Sequence, residues 1–115
     1  MEFEAKEVRV IVDPGNCEFR CSILAIRQAE KNVRISMQSE CPQVQRLADL
    51  VGAVDLNVLF LPVVRNHVFN SAAIAACHTS CLVPLGLIKA AEVSLGLALS
   101  QDATIRFVSG PEKKS

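Results

Sequence analysis

Three stretches near the start of the chain alternate apolar and polar residues with the two-residue period of a strand. Val8, Val10 and Val12 are separated by Arg9 and Ile11, a half-buried strand marred only by the apolar Ile11. Asp13-Pro14-Gly15-Asn16 reads as a tight turn, with Pro supplying a fixed φ and Gly a positive one. Beyond it Cys17, Phe19, Cys21, Ile23 and Ala25 share one face against Glu18, Arg20 and Ser22, which predicts a second strand antiparallel to the first. After the polar Gln28 to Asn32, the residues Val33, Ile35 and Met37 alternate with Arg34, Ser36 and Gln38 as a third strand. A three-stranded meander results.

The period then changes. Val44, Leu47, Ala48 and Val51 recur at helical spacing behind Cys41-Pro42, where Pro suits the first helical position; either Cys41 is the N-cap, or Ser39 is and Cys41 packs under the first turn, and Gly52 stops the helix. Asp55 to Phe60 suits a short helix or an irregular apolar segment, and Pro62 argues against a regular element through Leu61 to His67. Val68 to Cys77 is rich in Ala and helical by propensity, ending near His78. Thr79-Ser80 interrupts it. Pro84 restarts a long helix carrying Leu85, Ile88, Leu95 and Leu99 on one side, with Leu87, Ala91 and Leu97 beside it. Ala103, Ile105 and Phe107 alternate with Thr104 and Arg106 as a final strand.

Strands, then helices, then one returning strand describe an α+β two-layer sandwich. Its antiparallel sheet is the three-stranded meander plus the C-terminal strand. Helices lie on one face, covering Val8, Phe19, Ile23, Ile35 and Phe107. Residues 1–109 form a single domain and 110–115 a flexible polar tail.

Composition narrows the function classes. Of 115 residues half are apolar, and the five Phe are unaccompanied by Trp or Tyr. The core is therefore aliphatic and offers no aromatic platform for single-stranded nucleic acid. Twelve basic and twelve acidic residues cancel, so no phosphate-binding footprint is expected and a homo-oligomer or a protein partner is favoured over nucleic acid. The charged Glu2 to Glu7 is not a signal core and no apolar run approaches the roughly 20 residues that span a bilayer. No membrane association is expected, and the location is cytoplasmic. In that setting five cysteines are free thiols or ligands.

Chemistry concentrates in Ala75 to Pro84, where Cys77, His78 and Cys81 fall within five positions. Sulfur and imidazole donate to Zn or Fe, and an adjacent His also stabilises a thiolate. Cys41, at a helix N-terminus, is the second focus. Cys17 beside the turn is accessible. Cys21, mid-strand, reads as core filler, His67 as a capping or surface residue, and Glu92 as a half-exposed helix residue. Three readings follow. Cys41, His78 and Cys81 with Cys77 or Cys17 hold Zn or an Fe–S cluster; or Cys41 or Cys81 is a nucleophilic or redox thiol with His78 as base; or the cysteines pack in the core of a non-catalytic, oligomeric interaction domain.

The order of parts resembles that of iron–sulfur cluster scaffold proteins of the NifU/IscU type, where a meander leads to a Cys at a helix start and a later His and Cys complete a site for Zn or a nascent cluster. Cys41, His78 and Cys81 match those positions, with Cys77 in place of the middle thiol. The chain is also similar, over nearly its whole length, to a group of small uncharacterised bacterial and archaeal proteins. They carry a Pro-Gly-x-Cys turn, a Ser-x-Cys-Pro helix start and a Cys-x-Val-Pro junction, present here as Pro14 to Cys17, Ser39 to Pro42 and Cys81 to Pro84.

Overall fold

A computed structural model of the chain describes residues 7–110, so the expected polar tail falls almost entirely outside the described residues. β1 (Glu7–Val12), β2 (Cys21–Ala29) and β3 (Asn32–Gln38) form the expected meander, and β4 (Ala53–Asp55) completes an antiparallel sheet of order β1-β2-β3-β4. The register sets Val8 opposite Ala25, Val12 opposite Cys21, and Ile23 opposite Met37. The alternation thus puts Val8, Val12, Cys21, Ile23, Ala25, Ile35 and Met37 on one buried face.

Helices α1 (Pro42–Val51), α2 (His67–Ile74) and α3 (Val83–Ser94) cover that face. α3 packs on β1 and β2, α1 packs on β3, and α2 is wedged against both helices. The stripe Val44, Leu47 and Val51 of α1 is buried as its spacing predicts. Asn66 caps α2, its side chain accepting the Val68 N–H. This is the expected α+β sandwich of sheet and helices.

Four details differ from the sequence reading. The fourth strand is β4, not Ala103 to Phe107. Gly52 ends α1, and its carbonyl accepts the Ile35 N–H at 2.9 Å, which delivers Ala53–Asp55 onto the open side of β3. Three residues are too few to display a period. Residues 99–108 adopt no helix or strand, and Ile105 and Phe107 are 76% and 97% exposed.

α3 also stops short of Leu99. The Leu97 N–H returns to Glu92 O and the Gly96 N–H to Val93 O, with Gly96 at φ 77°. This is a Schellman ending, and it turns Leu97 and Leu99 out to solvent. α2 ends at Ile74, before Cys77, through the same device around Ala76.

The tight turn at residues 13–16 is instead the start of a longer loop. A single 3-10 turn, Gly15–Cys17, occupies it, and β2 begins only at Cys21. Cys17 and Phe19 therefore leave the strand, and Phe19 is exposed, not covered by the helices on the sheet face. Among the described residues no helix is long and apolar enough to cross a membrane.

Candidate functional site

The β1–β2 loop, the junction between β3 and α1, and the junction between α2 and α3 open at the same end of the sandwich. Together they enclose a cleft of about 90 Å3, several times what one bound water needs. Cys17, Cys41, Cys77, His78 and Cys81, the five residues singled out from sequence, all line it. His67, exposed at the start of α2, does not, and neither does Glu92.

Each residue is placed by its local backbone. Cys41 is the N-cap of α1 ahead of Pro42; its N–H donates to Ser39 Oγ at 3.2 Å and its thiol to Gln43 Oε1 at 3.2 Å. Cys77 follows the α2 ending, in which its N–H donates to Ala72 O at 3.0 Å and the Ala76 N–H to Ala73 O at 3.1 Å. Its thiol faces Gln43 O at 3.9 Å, a long contact from the end of α2 to the start of α1. Cys81 closes a turn by donating its N–H to His78 O at 3.0 Å. His78, Cys17 and Ser80 are exposed; Cys41, Cys77 and Cys81 are half-buried.

Backbone strain accompanies two of the thiols. Ala76, just before Cys77, and Glu18, just after Cys17, are the non-glycine residues of positive φ among the described residues, at 61° and 69°. Such conformations are held by their surroundings and cluster at sites.

The electrostatics is that of crowded, uncompensated thiols. Burial pushes the Cys77 thiol up to about 11, and the neighbouring Cys81 and Cys41 reinforce the shift. Burial also raises Cys81, with negative charge on Cys41 and Cys17 adding to it; the Val83 N–H and the Cys77 thiol, both hydrogen-bonded to the Cys81 sulfur, act in the opposite direction. All five cysteines are free thiols.

Sequence reasoning placed Cys21 in the core and missed two side chains that line the cleft. Cys21 opens β2 instead of lying mid-strand, and it is fully enclosed as core filler should be; its thiol is raised to about 11 by burial and then by Cys81 and Cys41. It therefore lies within electrostatic reach of the cleft. Gln43 and Phe19 also line the cleft. Nothing in their spacing announced it, because Gln43 reads as a solvent residue of α1 and Phe19 as a strand residue.

Among the described residues no three His, Cys, Asp or Glu side chains stand together as a ready-made metal-binding group. The arrangement offers soft donors from three segments around one opening. No curated protein and no solved structure matches the chain. A family model matches residues 8–107, from the second residue of β1 to Phe107, and so includes all three cleft-forming segments. The chain belongs to this family of unknown function, DUF6951.

Proposed function

We propose that the protein binds a thiophilic metal, zinc or an iron–sulfur cluster, through Cys41, Cys77 and Cys81, with Cys17 or His78 as the further ligand. The observation that carries this reading is the convergence of four of the five thiols and one of the two imidazoles on a single small cleft. Metal ligation requires thiolates, and a divalent cation supplies the positive charge that the crowded thiols lack. Cys77 and Cys81 are raised chiefly by burial and further by their thiol neighbours. A cation in the cleft reverses the second contribution, so binding releases protons. Cys41, Cys77 and Cys81 lie near helix ends that the core holds, whereas Cys17 and His78 are the more exposed donors lining the same cleft. The same placing of Cys41 ahead of His78 and Cys81 underlies the resemblance to NifU/IscU-type scaffolds, and free thiols suit a cytoplasmic setting.

A nucleophilic thiol is less well supported. Of the two candidate nucleophiles, Cys41 and Cys81, burial raises Cys81, which holds its proton at neutral pH, whereas a nucleophile needs a lowered pKa.

The test is anaerobic purification without a His-tag, elemental analysis with an ultraviolet–visible spectrum, and titration of the metal-free protein with Zn2+ against a chromophoric chelator. Stoichiometric Zn, or Fe with sulfide absorption, lost in Cys41→Ser and Cys81→Ser, supports the reading. A metal-free protein that takes up neither Zn2+ nor Fe and keeps its thiol reactivity overturns it. One fast-reacting thiol in that metal-free protein moves the assignment to a nucleophilic or redox cysteine.

A further inference from the structure

Beyond the cleft, the chain carries an unused strand. Ala103, Ile105 and Phe107 alternate with Thr104 and Arg106, the pattern of a strand with one buried face. Nevertheless no backbone–backbone hydrogen bond joins residues 102–108 to any other described residue. Ile105, Phe107 and Val108 are exposed, as are Leu97 and Leu99 on the connection from α3. The matched family unit runs through this stretch to Phe107, so residues 103–107 lie within it. So much apolar surface on an extended, unpaired segment is stable only when something covers it.

The sheet has a matching vacancy in its hydrogen bonding. β1 pairs only with β2; its other edge receives no backbone hydrogen bond from any described residue. It has six residues, as has the segment 103–108, whereas the opposite edge strand β4 has three. On β1 the core-facing Val8, Val10 and Val12 alternate with Glu7, Arg9 and Ile11, and Val10 is only half-buried between two buried valines. A strand laid along this edge adds Ile105 and Phe107 to the valine row.

We propose that residues 103–108 of one copy pair with the outer edge of β1 in a second copy, and reciprocally, making a two-fold, strand-exchanged dimer. A second copy is the fitting occupant because it supplies the strand, takes up the free edge on both partners at once, and buries the same apolar side chains twice.

The test combines sedimentation equilibrium of the full-length protein, from micromolar to hundreds of micromolar, with amide hydrogen exchange. Ile105→Asp with Phe107→Asp is the diagnostic double variant; the two side chains are 76% and 97% exposed within their own copy, so the protomer fold is little affected. The expected wild-type mass is twice 12.5 kDa, halved in the double variant. Amides of residues 103–108 exchange slowly in the wild type and fast in the variant, and the melting temperature depends on concentration only in the wild type. A monomer throughout the range overturns the proposal; slow exchange of 103–108 in that monomer assigns the segment to its own β1 edge instead. A dimer that survives the double substitution with fast exchange at 103–108 assigns the interface to another surface.

Discussion

Gly86 of α3 lies against Val12 of β1 with no space between them: a methyl group on its α-carbon would stand 2.6 Å from Val12 Cγ2 and 3.4 Å from Ile23 Cδ1. This approach seats the first turn of α3 on the end of β1 where the Cys17 loop departs. It thereby sets the separation between Cys81, which precedes α3, and Cys17.

Gly86→Ala is therefore expected to destabilise. A glycine inside a helix ordinarily costs about 1 kcal/mol relative to alanine, but overpacking a buried, β-branched neighbour costs about 1–3 kcal/mol. The net expectation is a loss of about 1 kcal/mol, read as a lower urea midpoint, and a widened cleft that weakens Zn2+ uptake. A gain in stability would show that α3 shifts freely on the sheet.

Asn66 is 3% exposed and serves two segments, accepting the Val68 N–H at 3.0 Å and donating to Val58 O at 2.8 Å. Asn66→Ala removes the cap of α2 and one of the two donors to the half-buried Val58 carbonyl, which keeps the Leu61 N–H at 3.2 Å, at a cost of about 1–2 kcal/mol. Asn66→Ser restores only the cap and should recover part of the loss. Equal denaturation midpoints for all three proteins would remove Asn66 from the stabilising set.

Ala76, at φ 61°, occupies the position of a helix ending that glycine prefers. Ala76→Gly relieves strain of about 1–2 kcal/mol, less what glycine costs through the unfolded chain. A gain of about 0.5–1 kcal/mol is expected, measured as a raised melting temperature of the metal-free protein. A fall would mean that the alanine methyl is needed against the Cys77 turn.

Three raised thiols, Cys81 among them, couple stability to alkaline pH. Cys21 and Cys77 are raised from 9.0 to about 11 in the folded protein. Between those values the folded state keeps protons that the unfolded state releases. Their contribution is thus whole below pH 9 and is lost as pH rises towards about 11. The urea midpoint of the reduced, metal-free protein should fall across that window, with a shallower fall in Cys21→Ala whatever its stability at neutral pH. A flat profile would refute the protected-thiol assignment. With Ellman's reagent the exposed Cys17 should react ahead of Cys77, and Cys21 only upon unfolding.

Local pattern was enough for the elements whose partners are close in the chain. β1, β2 and β3 are successive antiparallel strands with one face buried, so the two-residue period reports their burial directly. Pro42 and Pro84 mark helix starts by removing an N–H that would have no partner there. Cys41 was legible beside Ser39 as a candidate N-cap for the same reason, and the structure places the cap at Cys41. The strand pattern at 103–107 was equally plain and yet forms no strand in this chain, because alternation records which side chains seek burial and not what will bury them. β4 lacked any pattern; it exists because Gly52 delivers it to β3.

The sequence by itself determined that the chain is a meander followed by helices and that Cys17, Cys41, Cys77, His78 and Cys81 are its chemically distinctive side chains. Only the tertiary structure decided that these five share a cleft, that the Cys17 loop departs from β1 beside α3, and that Cys21 lies within electrostatic reach of them. The reason is physical. Periodicity and capping are carried by neighbours within a few residues, whereas the meeting of residues 17, 41 and 81 depends on how α1 and α3 seat on the sheet, which is settled by close packing at contacts such as Gly86 on Val12.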